Sequence, residues 1–316
     1  MGCMMTPKEV ATSRSFPFFF LLWLGASYAL TLYDHQRSLL GQILISLVFL
    51  AQFLVLSALV KAGRNADPLP TEGVAAGQNL PAVGVDIRDP QGETLFLLAI
   101  YLLAMGIELT LLKPWFLMKR RFELITAFWV LYVAVPGIYF RLRGYRLSDL
   151  GITSAGLARS LGNAVIAALV VLPFLVSSSS SSAVFFGGKL TVGQLIAGTG
   201  AGLVYGFLMA GFFEEFFFRA LLQTRLACLV RSEADGMLIS SVLFGLYHLP
   251  SRIIQTDGNW GHAFALTLSA QMVISPIYGL LWARSRNLAL PVFVHSFMDG
   301  MSGFSSIGKA IGIIRE

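Results

Sequence analysis

Three short groups of residues in the last third of the sequence have the types and spacing that water activation needs. The first is Phe212-Phe213-Glu214-Glu215-Phe216-Phe217-Phe218-Arg219, two carboxylates and a guanidinium inside an aromatic run. On a helix Glu215 and Arg219 are four apart and share a face, so they can pair. Glu214 points about 100° away and keeps no such partner. The second group, Phe244-Gly245-Leu246-Tyr247-His248-Leu249-Pro250, ends an apolar stretch with an imidazole just before a proline. The third, His295-Ser296-Phe297-Met298-Asp299, again sets two polar groups four apart. A carboxylate can take a proton from water, and imidazoles can bind a metal or hydrogen-bond the water and a developing oxyanion. Each group alone has a plainer reading, as a helix-end ion pair or a packed histidine. Two of the chain's 4 histidines lie in these late apolar segments, and together the groups supply a carboxylate, two imidazoles and a second carboxylate from three helices.

These groups stand out because the rest of the chain is so apolar. Of 316 residues, 56% are hydrophobic and 13% charged, and the mean hydropathy is +0.72. A soluble domain of this size needs far more charge on its surface. The composition excludes a conventional soluble enzyme, a nucleic-acid-binding domain and a disordered chain, and leaves a multi-span membrane protein with the lipid bilayer as its surroundings. The net charge of +6 reads as basic loops at a membrane surface. Cys3 and Cys228 form neither a disulfide framework nor a cysteine metal site.

A helix needs roughly 17–25 apolar residues to cross a bilayer. Runs of that kind are Phe16 to Tyr33, Leu39 to Val60, Thr94 to Leu112, Phe122 to Phe140, about Ser160 to Val176, Thr191 to Phe218 or beyond, Asp235 to Leu249, His262 to Ala283 and Leu288 to Ile307. The expected fold is all-α, a polytopic bundle of about 8–9 transmembrane helices with the site on the C-terminal helices, because lipid admits only helices or closed barrels and no alternating strands are present. The first run is expected to be retained as a span. Residues 61–93 are polar and expected as a water-exposed loop, and Ser177 to Ser182 as a second loop. The chain divides into N-terminal helices, 1–145, and a C-terminal core, 146–316, with the motifs inside 200–303. Basic residues at both ends of the fourth run leave the orientation open, and an interfacial amphipathic helix would account for one of them. Met1 to Thr6 fits a short N-myristoylation pattern of the kind that arises by chance.

Other residues have quieter expectations. Glu108 is read as a helix-end group near Lys113, with a further site residue as the alternative, and His262 as interfacial. Gly200, Gly202, Gly206 and Gly211 would let the helix that carries Glu214 approach its neighbours closely. The phenylalanines around the carboxylates are read as lipid-facing or packing residues.

The ordered set Glu-Glu-x-x-x-Arg, Phe-x-x-x-His and His-x-x-x-Asp, spread over three late apolar helices, resembles the CPBP family. That family includes the type II CAAX prenyl proteases and bacteriocin-processing and self-immunity proteins. The resemblance covers about Gly200 to Gly303. It implies an intramembrane endopeptidase acting on a membrane-associated peptide or protein. By position, Glu214 would activate water with His248, and Glu215, Arg219 and Phe244 would support the site. His295 and Asp299 would bind a metal or face the oxyanion. The mechanism is metal- or glutamate-dependent. Zinc or another divalent metal, if used, would draw on Glu214, His248, His295 and Asp299. The family's last motif often ends in Asn, whereas Asp299 donates a hydrogen bond only when protonated. Two other readings stay open: a non-catalytic member acting in immunity or as a membrane scaffold, and a secondary transporter. The location implied is an integral, multi-pass one, the cell membrane if the source is bacterial.

Overall fold

The computed structural model describes residues 10–33, 38–64, 87–117, 121–178, 184, 187 and 190–314. The chain is an all-α polytopic membrane protein, with no strand among the described residues. Its helices are α1 (Phe16–Tyr33), α2 (Leu39–Arg64), α3 (Pro90–Leu117), α4 (121–142), α5 (Leu157–Ser178) and α6 (Val192–Val230). There follow α7 (Glu233–Tyr247), α8 (Leu249–Gln255), α9 (Trp260–Ser285), α10 (Ala289–Ser302) and α11 (Phe304–Ala310). Among the described residues 7 helical stretches are long and apolar enough to span a membrane, and Leu157–Pro173 in α5 is a shorter apolar helix. The 14-residue α10, which carries His295, is mostly buried and packs chiefly against α5 and α6.

The helix that carries the paired carboxylates is a single 39-residue span, longer than the run read from the sequence. Two π-helical turns interrupt it, Phe207–Gly211 and Phe216–Gln223, one on each side of Phe212–Glu215. A π turn inserts one residue into the helical repeat and re-aims the side chains that follow. A further π turn, Thr267–Gln271, lies in α9. The turn between α6 and α7 is tight: Arg231 takes a left-handed conformation, and Ser232 caps α7 by accepting from Asp235 N–H. Pro250 ends the continuous run of α7, so His248 sits at a corner between α7 and α8.

Three glycines set the distance between α6 and α10. A Cβ on Gly202 would come within 3.1 Å of the Gly300 backbone, one on Gly206 would collide with the Ser296 carbonyl, and one on Gly211 with Ser296 Oγ. Gly200 meets nothing within 4 Å, whereas Gly198 lies over the Phe304 ring. The seam against α10 is therefore Gly202, Gly206 and Gly211, with Gly198 one turn earlier on the same face against Phe304 of α11.

Several loop expectations need correcting. Lys61 to Arg64 continue α2, and α3 begins at Pro90, inside the stretch read as a loop. Glu93 is fully buried: its Oε2 pairs with Arg225 Nε at 3.1 Å, and its Oε1 accepts from the Tyr145 hydroxyl at 2.8 Å. Arg143 Nε lies 3.4 Å from the same carboxylate. The basic stretch after α4 is thus a turn folded onto Glu93 with a short 3-10 turn, Ser148–Leu150, and not an amphipathic helix. The expectations for Met1 to Thr6, for Ser179 to Ser182 and for 65–86 fall outside the described residues. The phenylalanines beside the carboxylates pack inward: Phe213, Phe216, Phe217 and Phe218 are all buried.

The seam gives a direct test. Gly206→Val should lower stability by about 2 kcal/mol or more, because backbone and not a pliable side chain lies opposite. Gly200→Ala should be close to neutral. Thermal unfolding in detergent compares them, and equal midpoints would contradict the close approach of α6 and α10.

Candidate active site

Glu214 and Glu215 lie in one helical turn of α6 but meet different surroundings. Glu215 is fully buried, and both its oxygens are engaged. Oε2 accepts from Arg219 Nε at 3.1 Å, and Oε1 accepts from His295 Nδ1 at 2.7 Å. Arg219 is also fully buried; its Nη2 donates to Ser275 Oγ at 3.0 Å on α9, and its guanidinium lies over the Phe244 ring at 4.9 Å. The ion pair therefore reaches from α6 to α7, α9 and α10. A buried charge left without such partners costs several kcal/mol.

Donating Nδ1–H to Glu215 turns His295 Nε2 the other way. Nε2 lies 3.7 Å from Glu214 Oε2 and 3.5 Å from Asp299 Oδ2. Tyr278 of α9 stacks flat on the imidazole at 4.5 Å and fixes the ring plane. Glu214 Oε2 is buried and has no hydrogen-bond partner among the described residues.

His248 reaches the same place from the corner after α7. Its Nδ1–H donates to Phe244 O at 2.9 Å, which leaves Nε2 as the free ring nitrogen. Phe244 thus serves both imidazole and guanidinium, since it also packs edge-on to His248 at 4.9 Å. Glu214, Phe244, His248, His295 and Asp299 all line one cavity of about 430 Å³. Asp299 is the most open of these groups, with 42% of its side chain exposed. Phe49 of α2, Leu175 of α5, Ile274 of α9 and Met298 of α10 add an apolar wall.

All four residues read from the sequence as catalytic therefore meet at one cavity. As arranged, they do not form a metal centre: among the described residues no group of three or more His, Cys, Asp and Glu side chains could hold a metal ion. Two carboxylates approach His295 Nε2 as separate pairs, and the donor set does not fit a bound ion. No step below is routed through one.

Some participants carried no motif in the sequence. Tyr278 and Ser275 come from α9, which contains none of the three motifs, and Gln271 of the same helix also lines the cavity. Glu108 is a correction: it is not a helix-end group but sits within α3, 4% exposed, with Oε1 unpartnered among the described residues. It lies within electrostatic reach of Glu214 and of Tyr101, Tyr132 and Tyr247. His262 stacks on Tyr33 at 5.4 Å, at the start of α9 and away from this cavity.

Residues 196–301, about a third of the chain, match the family model described as type II CAAX prenyl endopeptidase Rce1-like. The matched segment contains all three motifs, agrees with the resemblance read from them and indicates a protease. No curated protein and no solved structure matches the chain.

The ion pair can be tested without an activity assay. Arg219→Ala leaves Glu215 buried and short of one partner, and should cost about 3–5 kcal/mol of stability. The double change Glu215→Leu with Arg219→Met should recover most of that loss. If the double variant is as unstable as the single one, Arg219 stabilises the helices by packing alone.

Proposed function

We propose that the protein is an intramembrane endopeptidase that hydrolyses a peptide bond of a membrane-associated peptide or protein, with Glu214 as the group that activates water. One observation carries this reading. Glu214 Oε2 is a buried carboxylate oxygen with no hydrogen-bond partner among the described residues, beside a cavity whose other titratable groups are His248, Tyr278, His295 and Asp299. A general base needs a lone pair facing the reactant, and Glu215, tied to Arg219 and His295, does not line the cavity.

The chemistry follows from the ring nitrogens. Water held between Glu214 Oε2 and His248 Nε2 gives its proton to Glu214 while its oxygen bonds to the scissile carbonyl carbon. The carbonyl π pair moves onto oxygen, and His295, when it carries both ring protons, offers Nε2–H to that developing charge. The tetrahedral intermediate then collapses, the C–N bond breaks, and protonated Glu214 returns its proton to the leaving amine. Glu215 holds His295 in position, and Asp299 acts as an acceptor beside His295 Nε2, the role open to an ionised carboxylate. The division at residue 145 belongs to the same proposal: 146–316 forms the catalytic core, and the N-terminal helices close it, with Phe49 of α2 reaching the cavity.

The name of the matched family points to CAAX prenyl proteins as substrates, and the apolar wall suits a lipid-modified or apolar segment. Purified protein should cleave a prenylated CAAX peptide or an unmodified membrane-anchored peptide. Glu214→Gln should lower the rate at least ~10³-fold, since the amide cannot accept and return the proton. Its elution and melting should match the unaltered protein. Cleavage that persists in a folded Glu214→Gln variant would sink the assignment, and would move the buried polar set to a scaffold or immunity role.

A further inference from the structure

Asp299 stands where the resembling motif often carries Asn, so the site lacks one neutral amide donor. A second amide lines the same cavity. Gln271 is the last residue of the π turn Thr267–Gln271 in α9, where Met272 N–H reaches back to Thr267 O. Its Oε1 is buried and has no hydrogen-bond partner among the described residues. No hydrogen bond of the side-chain nitrogen is seen there either, so the whole amide is open to a ligand in the cavity that it lines.

The backbone brings this amide close to the histidine corner. A Cβ on Gly245 would come within 2.8 Å of Met272 Cβ and 3.2 Å of its Cα, so α7 and α9 touch beside Gln271. Gly245 follows Phe244, whose carbonyl holds His248. Gln271 from α9 and His248 from the end of α7 thus line the same cavity, which His295 and Asp299 enter from α10. An amide that lines a cavity and has no partner in the protein is a neutral donor available to a ligand there. Such donors stabilise an oxyanion without adding to the charge already crowded there.

We infer that Gln271 is a catalytic residue that donates its side-chain N–H to the oxyanion of the tetrahedral intermediate, supplying the amide hydrogen bond that Asp299 cannot. This rests on the endopeptidase reading above. No bond to Gln271 forms or breaks, and its hydrogen bond strengthens as the carbonyl oxygen gains charge.

The test uses full-length protein in detergent and the peptide that the unaltered protein cleaves. Gln271→Met keeps the bulk and removes the donor, Gln271→Glu keeps an acceptor and removes the amide, and Gln271→Asn keeps the amide on a shorter stem. Loss of one such donor should lower kcat about 10²–10³-fold. KM should stay within about threefold for Gln271→Met, as expected for an interaction made in the transition state. Gln271→Glu should be no better, Gln271→Asn should exceed both, and a peptidyl phosphinate, which mimics the tetrahedral oxyanion, should lose affinity in step with kcat. If Gln271→Met fails to fold, Gln271→Asn outperforming Gln271→Glu carries the same conclusion. An unchanged kcat in Gln271→Met, or a loss borne by KM alone, overturns this inference and leaves the endopeptidase reading standing when Glu214→Gln is inactive in the same assay. If Glu214→Gln is fully active there, both fall.

Discussion

Burying Glu215 is the constraint on which the rest of this structure depends. A carboxylate with no exposure inside a helical bundle must have each oxygen satisfied or the helix that carries it will not stay there. Here Arg219 satisfies one oxygen and His295 the other. The first bond brings a guanidinium into the core, which then needs Ser275 and the faces of Phe244 and Tyr278. The second bond ties α6 to α10 and dictates which nitrogen of His295 is free. One buried anion thereby orders four helices and presents Glu214 and His295 Nε2 to a common space. Neighbours on one helical turn meet different surroundings, since Glu215 is held on both oxygens and Glu214 keeps one oxygen with no hydrogen-bond partner among the described residues.

That tie is possible because the backbones come unusually close. A 2.7 Å bond between α6 and α10 leaves no room for side chains on the α6 face above it. Gly202, Gly206 and Gly211 remove them, and Gly300 does the same from the other side. The π turns on each side of the carboxylate pair, and the one in α9, adjust which way side chains point without breaking the helices. They interrupt segments that line the cavity, as expected where a regular helical repeat would aim a needed group the wrong way. At the other end of α6, Glu93 and Arg225 form a second buried pair under the rings of Phe140 and Tyr145, which anchors the helix away from the site.

The sequence made some of this legible and hid the rest for physical reasons. Composition together with the lack of alternating strands points to an all-helical membrane bundle, since hydrocarbon admits only helices and closed barrels. Rare ionisable residues in apolar runs point to the site, and helical geometry separates Glu214 from Glu215. The second partner of Glu215 is 80 positions away, however, and Arg225 is 132 from Glu93. Pairing over such distances depends on how helices assemble, which local spacing does not encode. Glu93 read as a loop residue because it follows a polar stretch, yet a buried arginine from α6 draws it inside. Gly198 and not Gly200 meets a neighbour, the Phe304 ring at the start of α11, because register on a helix is fixed by contact, and both glycines look alike in a list of residues. Gln271 and Tyr278 belong to no motif, so only the cavity they line brings them into view.

The most direct measurement of the central claim is a structure of the protein with a peptidyl phosphinate bound. The expected result places one phosphinate oxygen within hydrogen-bond distance, about 3 Å, of Glu214 and His248, where the attacking water would stand. The other oxygen should face His295 Nε2. A phosphinate seated elsewhere, or one turned so that Glu214 touches neither oxygen, would contradict the role of Glu214 as the base.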